Sequence, residues 1–135
     1  MYMTKLRAFS SIGLGFCSAL LVVGVASAQM MLPSAKPPDG AALFKTQCAT
    51  CHTTNTTDPP RQGPTLAKIV GRKAGKVEGF KYTPGLARAD FTWDEAKLDA
   101  WLTNPQAMIS DANMAYRQAK PETRSAIIAY LKGLN

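Results

Sequence analysis

Cys48, Cys51 and His52 form a C-x-x-C-H motif, which constrains the fold more than any other feature of the 135-residue chain. Cysteines three residues apart at the end of a helix lie on nearly the same face, so both sulfurs can add to the two vinyl groups of one haem. His52 follows directly and can offer its imidazole to the iron. The motif therefore predicts one covalently attached haem c, held by Cys48 and Cys51, with His52 as an axial ligand.

Other roles for these cysteines fit the rest of the sequence less well. A structural zinc site needs four nitrogen or sulfur ligands, and beyond residue 28 the chain has no Cys or His outside the motif. A thioredoxin-like redox pair belongs in a βαβ setting, which the sequence does not predict. A local disulfide between Cys48 and Cys51 remains an alternative, because an exported protein with only these two cysteines could form one.

The first 28 residues predict a signal peptide. Lys5 and Arg7 precede an uncharged apolar run over residues 8–26, and the sequence A-S-A at residues 26–28 matches an A-x-A cleavage site. The mature chain would then start at Gln29 and be located in the periplasm. An uncleaved anchor is the competing prediction, since a bilayer is spanned by roughly 20 apolar residues.

Length and charge exclude several classes of function. The chain carries 16 Lys+Arg and 9 Asp+Glu, a net charge of +7, which falls to +5 when Lys5 and Arg7 leave with the leader. This charge suits an acidic protein partner or a membrane surface, and no nucleic-acid partner is expected because the sequence has no basic stripe. One domain with one histidine argues against a large multi-substrate enzyme and against a multi-histidine metal site.

The mature sequence predicts an all-α fold in which short helices are joined by long loops. Residues 29–38 form a proline-containing lead-in, and the domain is predicted to occupy residues 39–135. Asp39 can cap a first helix that continues to about Ala49. A second, short helix is expected over residues 65–70, where Gly71 would end it.

Two further helices are predicted in the C-terminal half. A capping box that begins at Thr92 opens a helix to about Thr103, and Pro121 opens the last helix, which ends near Gly133. No strand is expected between residues 71 and 91. Loops this long do not suit an unaided helical bundle, so the haem is expected to fill the middle of the domain.

A sixth iron ligand has to come from a residue other than histidine. The mature methionines are Met30, Met31, Met108 and Met114. The first two lie in the lead-in, whereas Met108 and Met114 lie between the last two helices, where the chain can fold over the far face of the haem. The residues alone leave the choice between Met108 and Met114 open, and the other one is core filler.

From Gly40 to its end the chain resembles the class I cytochromes c, close to the pattern of mitochondrial cytochrome c and bacterial cytochrome c2. The resemblance rests on short motifs that occur in the family's order and nearly its spacing. These motifs are Gly40 and Phe44, residues 48–52, Gly63-Pro64-Thr65-Leu66, Gly71-Arg72-Lys73, residues 79–83, Thr92-Trp93, Asn104-Pro105, residues 113–116 and residues 128–132.

The resemblance implies a cytochrome c fold wrapped around one haem and roles for individual residues. Tyr82 and Trp93 would hydrogen-bond a buried haem propionate, and Arg72 would neutralise charge nearby. The Pro64 carbonyl would accept the ring N–H of His52 and so orient the imidazole. Gly40, Phe44 and Tyr130 would form the crossing of the first and last helices. The implied cofactor-binding residues are Cys48, Cys51, His52, Pro64, Arg72, Tyr82, Trp93 and Met114, of which His52 and Met114 bind the iron.

The same resemblance implies a soluble periplasmic one-electron carrier and not an enzyme. Two axial ligands leave the iron no open position for oxygen or peroxide. The partners would be membrane redox complexes: a quinol:cytochrome c oxidoreductase, and a terminal oxidase or photosynthetic reaction centre. A monomer is expected, with membrane attachment only if the leader is uncleaved. The alternatives are a haem sensor or small peroxidase with a labile methionine, and a tethered electron-transfer subunit of one enzyme.

The sequence departs from the family pattern at positions around the haem. Ser110-Asp111 stands where a Pro-Gly turn is common, so the methionine-bearing loop is expected to close with a looser Fe–S bond. Trp101 stands where the family often has Tyr, and its indole N–H remains a hydrogen-bond donor. Gln106 and Asn113 replace lysines of the mitochondrial relatives, which predicts weaker and less salt-sensitive steering towards an acidic partner.

Overall fold

The computed structural model of the protein describes residues 36–134. Within them it has five helices joined by turns and loops, and its only β pairing is an isolated bridge. The all-α prediction is therefore confirmed. The predicted leader at residues 1–28 and the lead-in up to residue 35 lie outside the described residues. The helices are α1 (Gly40–Gln47), α2 (Pro84–Arg88), α3 (Glu95–Thr103), α4 (Pro105–Met108) and α5 (Pro121–Lys132).

Helix α1 begins where the sequence predicts, at a cap formed by Asp39. A carboxylate oxygen of Asp39 accepts hydrogen bonds from the backbone N–H groups two and three residues ahead, at 3.0 and 3.3 Å. A cap of this kind is worth about 1 kcal/mol. The helix ends at Gln47, two residues before its predicted end, because Cys48 leaves helical geometry. The first cysteine of the motif therefore lies at the end of a helix.

Helices α1 and α5 cross at close range. The rings of Phe44 and Tyr130 pack with their centroids 5.4 Å apart. Gly40 lies against the backbone of α5, where a Cβ atom would overlap the carbonyl oxygen of Ala126. These are the three residues that the family resemblance implied for this crossing, and the structure brings them into contact.

Helix α5 also packs against α3, and its predicted ends are confirmed. Pro121 occupies the first helical position and Gly133 caps the C-terminus. Ile127 is fully buried in the core. Arg124 is nine-tenths buried, and its Nε lies 2.7 Å from a carboxylate oxygen of Asp99 on α3. None of the helices in residues 36–134 combines the length and apolar character that a membrane crossing requires.

The start of α3 differs from the predicted capping box. The helix begins at Glu95, and its cap is Asp94, whose carboxylate accepts the Lys97 N–H at 2.7 Å. Thr92, the predicted cap, instead forms the antiparallel bridge with Lys73. The N–H and the carbonyl of Trp93, which would be the first helical residue after such a cap, are both hydrogen-bonded across this bridge, so the helix cannot start there. The predicted end of α3 is confirmed.

The predicted helix over residues 65–70 is wrong, because this segment forms successive turns. Lys68 has a backbone φ of +51°, which is left-handed and interrupts any right-handed helix. The guanidinium of Arg72 donates to the carbonyls of Ala67 and Thr65, each at 2.7 Å. Carbonyls that a helix would use for its own hydrogen bonds are therefore bound by a side chain.

Two short helices, α2 and α4, were not predicted. They contain 5 and 4 residues, and each begins with a proline in its first turn. One turn of helix is too short to show the periodic apolar pattern from which longer helices are predicted. Both lie beside the loop over residues 109–116, whose position matters for the site described below.

Replacement of Gly40 by Ala is expected to destabilise the protein by about 1–3 kcal/mol, because the added methyl group would have to push the backbone of α5 away. Urea denaturation of the purified protein measures this change. Gly133→Ala is the matched control, since its nearest contact is 3.4 Å and its backbone is right-handed helical. Equal destabilisation by both variants would contradict the close crossing.

Candidate haem-binding site

A cavity of about 410 Å³ lies between helices α3 and α5 and the loop that carries the C-x-x-C-H motif. Its walls are largely apolar, with side chains such as Leu66, Ile69, Leu98, Leu102 and Leu131. The cavity is also lined by all eight cofactor-binding residues that the sequence implied. These are Cys48, Cys51, His52, Pro64, Arg72, Tyr82, Trp93 and Met114.

Of the two methionines that the residues alone left open, only Met114 lines this cavity. Met108 ends α4 and packs, partly buried, against the hydrophobic core. Met30 and Met31 lie outside the described residues. The thioether that shares a cavity with His52 is therefore that of Met114.

The motif forms a tight turn directly after α1. The backbone N–H groups of Cys51 and His52 both donate to the carbonyl of Cys48, at 3.0 and 2.9 Å. Both thiols are free, and the Sγ of Cys51 lies 3.3 Å from the amide oxygen of Gln62. Burial, with a smaller effect of the neighbouring Cys51, raises the pKa of Cys48 to about 11. Cys48 is therefore a protonated thiol at neutral pH.

The imidazole of His52 is oriented by the loop that follows it. Its Nδ1 lies 2.8 Å from the Pro64 carbonyl oxygen. Because a carbonyl only accepts, Nδ1 must carry the proton, and the lone pair of Nε2 is left for a metal. Burial lowers the pKa of His52, partly opposed by this hydrogen bond, so the ring is neutral at neutral pH. A Cβ atom at Gly63 would overlap the ring, and only glycine leaves space for it.

Tyr82, Trp93 and Arg72 come together on the wall of the cavity. The backbone N–H of Trp93 donates to the carbonyl of Arg72 at 2.9 Å, which joins the two segments. Burial lowers the pKa of Arg72 and raises the pKa of Tyr82. Arg72 has a further role that the sequence did not indicate, because its guanidinium holds the turns over residues 65–67 through the two carbonyl contacts described above.

An edge-to-face series of aromatic rings leads to the methionine. The ring of Phe91 packs on Trp93 at a centroid distance of 4.9 Å, and Trp93 packs on Trp101 at 5.4 Å. The indole Nε1 of Trp101 lies 3.1 Å from the sulfur of Met114. The donor capacity of Trp101 was visible in the sequence, but the acceptor was not, because the two residues lie on different segments.

The loop over residues 109–116 is held by two polar side chains whose role at the site the sequence does not indicate. The amide nitrogen of Gln106 donates to the carbonyls of Ala112 and Met114, at 2.9 and 2.8 Å. A carboxylate oxygen of Asp111 accepts the N–H of Gly85 at 2.7 Å. The loop closes as predicted, and Asp111 ties it to α2. The sequence indicates Gln106 only as the replacement of a lysine.

These residues fit a covalently attached haem. Two free thiols, a neutral imidazole with Nε2 available and a thioether all line one largely apolar cavity. The glycine at position 63 and the Pro64 carbonyl fix the imidazole from behind. None of these features is specific by itself. Together they match the thiols that attach haem c and the imidazole and thioether that bind its iron.

Comparison with known proteins identifies the family. Residues 38–135 match the family model described as cytochrome c. The chain belongs to the cytochrome c family. Cytochrome c2 of Rhodomicrobium vannielii is 40% identical over 96 residues, which cover 70% of this chain and 76% of that protein. Cytochrome c of Kluyveromyces lactis is 38% identical over 93 residues, which cover 68% of this chain and 84% of that protein. Cytochrome c of Gibberella zeae is 40% identical over 94 residues, which cover 69% of this chain and 89% of that protein.

Membership in the cytochrome c family confirms the resemblance and the fold predicted from the sequence. Proteins of this family are electron carriers that hold haem c covalently, and both cysteines that this requires are present here. The relatives include a bacterial cytochrome c2 and eukaryotic cytochromes c at similar identity.

In this member of the cytochrome c family, Gln106→Leu is expected to loosen the methionine-bearing loop. Loss of the two hydrogen bonds to the loop carbonyls, at about 1 kcal/mol each, lowers the free energy of loop opening by about 2 kcal/mol. The equilibrium constant for loop opening then rises roughly thirtyfold. The affinity of the ferric protein for added imidazole should rise by that factor. Thr46→Val is the control, because the Thr46 hydroxyl donates to two carbonyls of α1, those of Ala42 and Leu43, and does not contact the loop. A similar rise in both variants would contradict the role of Gln106.

Proposed function

We propose that the protein is a one-electron carrier with haem c bound through Cys48 and Cys51 and with His52 and Met114 as axial ligands. The observation that carries the proposal is that an imidazole and a single thioether line the same cavity as the two thiols. When bound, the haem supplies the Fe(II)/Fe(III) couple. With both axial positions filled, no site is left for oxygen or peroxide, which favours electron transfer over catalysis.

The residues around the cavity support a carrier because they keep both ligands fixed and water out. The His52 ring is neutral, and the Pro64 carbonyl restricts its rotation. The Met114 loop is held by Gln106 and Asp111. Ligands that move little between the two oxidation states lower the reorganisation on each transfer. The apolar walls exclude water, and Arg72, Tyr82 and Trp93 are proposed to contact the propionates.

The proposed partners are a quinol-oxidising membrane complex as donor and a terminal oxidase or reaction centre as acceptor, with the protein acting as a periplasmic monomer. The basic charge and the similarity to cytochromes c and c2 support such partners. The signal-peptide pattern of residues 1–28 supports export.

Cleavage of the leader predicts a purified native protein whose chain starts at Gln29. Intact-mass measurement and N-terminal sequencing of material from the periplasmic fraction test this. A chain that starts at Met1 and fractionates with membranes would favour the tethered subunit instead. In either case the haem-binding domain is the same, so this measurement concerns location alone.

Methionine ligation predicts that the reduced protein does not bind carbon monoxide and that the ferric protein has a weak far-red sulfur-to-iron band. Met114→Leu should remove the band and allow CO to bind, because leucine keeps the volume but has no ligand atom. Met108→Leu is the matched control and should behave as the wild type. CO binding by the wild type would overturn the carrier in favour of the sensor or peroxidase, and loss of the band in Met108→Leu would reassign the ligand.

A further inference from the structure

The histidine ring and its acceptor lie between two backbone hydrogen bonds at the base of the loop over residues 53–62. The neighbours of His52 in the chain, Cys51 and Thr53, each accept one of these bonds through the carbonyl oxygen. The donors are the N–H groups one residue before and two residues after Pro64, at 2.8 and 2.7 Å. A side chain that fixes Thr53 therefore also fixes the Pro64 carbonyl against the imidazole.

A carboxylate holds Thr53 from within this loop. Thr53 is 4% exposed, and its hydroxyl donates to Oδ2 of Asp58 at 2.6 Å. The side-chain amide of Asn55 donates to the other carboxylate oxygen, Oδ1, at 3.0 Å. The Thr53 hydroxyl also accepts the backbone N–H of Asn55 at 3.1 Å, so it both donates and accepts. These three residues form a closed network, which we call the Asp58 clamp.

The clamp needs a carboxylate at position 58. A hydroxyl that donates to a carboxylate lies about 2.5–2.7 Å from the oxygen, and the contact between Thr53 and Asp58 falls in that range. An asparagine at this position would accept from only one of the two donors, because its amide nitrogen carries hydrogens. Pro59 and Pro60 follow directly and restrict the backbone at Asp58, so the carboxylate is preorganised.

We propose that Asp58 is a positioning residue for His52 and that the Asp58 clamp lowers the midpoint potential of the protein. This inference rests on the proposed function, because it requires His52 to bind the iron. The clamp fixes Thr53 and thereby keeps the Pro64 carbonyl close to Nδ1. A hydrogen bond from Nδ1 makes Nε2 more basic, and a more basic ligand favours Fe(III) over Fe(II). Opening the clamp should therefore raise the potential.

The test compares Thr53→Val and Thr53→Ser in the haem-loaded protein, because neither variant changes the charge of Asp58. Thr53→Val removes the hydroxyl and should raise the midpoint potential. Exchange of the His52 Nδ1–H, followed by NMR in the reduced protein, should become roughly tenfold faster. Thr53→Ser keeps the hydroxyl and should stay close to the wild type in both measurements. An unchanged potential and exchange rate in Thr53→Val, or equal changes in the two variants, would overturn the proposal.

Asp58→Asn tests the carboxylate itself. This variant breaks one of the two side-chain contacts, so it should raise the potential and speed the exchange of the His52 Nδ1–H. Asp39→Asn is the matched control, since it removes the same charge, still caps α1 and lies outside the cavity. Equal shifts of potential in Asp58→Asn and Asp39→Asn, with no faster exchange in either, would overturn the positioning role in favour of net charge.

Ile128→Val controls for general loosening of the core. Ile128 is 5% exposed and does not line the cavity, so this variant should lower stability without moving the potential or the exchange rate. Changes as large as those of Thr53→Val would overturn the proposal, since packing alone would then explain them.

A measurement on the unaltered protein tests the clamp without any substitution. The Thr53 hydroxyl proton is buried and bound to a carboxylate, so it should exchange slowly and give a resolved NMR resonance in the reduced protein. Absence of this resonance would overturn the clamp. Failure of the proposed function is distinguishable, because it would appear as CO binding and a missing far-red band in the wild type itself.

Discussion

The apolar wall of the cavity is shared by helices that are each too short to bury a core of their own. Leu86 of α2, Leu98 and Leu102 of α3 and Ile127 of α5 all face the same space. The longest of these helices has 12 residues. A small domain buries a limited fraction of its surface, and a large apolar cofactor adds to what its helices can bury. The loops are ordered around the same cavity, because they carry residues that line it, such as His52 and Met114.

The sequence was sufficient to predict those parts of the fold whose cause is local. Asp39 caps α1 and Pro121 opens α5, and both effects act within a few residues. The capping box at Thr92 failed because the competing contact, with Lys73, comes from 19 residues earlier in the chain. The helix over residues 65–70 failed for a related reason, since the Arg72 guanidinium binds its carbonyls.

The residues of the candidate site also differ in whether the sequence identifies them, depending on how local their contacts are. The C-x-x-C-H motif is contiguous, so it could be read from the sequence directly. The choice of Met114 over Met108 came from the family resemblance, because both are single methionines in one connecting segment and nothing local distinguishes them. Gln106 was missed because its function is to bind carbonyls of a loop that folds back on it, and no sequence pattern marks such a contact.

The contact between Asp111 and α2 has a consequence for local unfolding. The carboxylate accepts the backbone N–H of Gly85, an N–H of the first turn of α2, which has no acceptor within its own helix. If the loop moves away from α2, this N–H loses its acceptor and the short helix is destabilised. Two segments that lie 26 residues apart would therefore open as one cooperative unit. The lifetime of the closed loop then depends partly on a helix that does not contain the methionine.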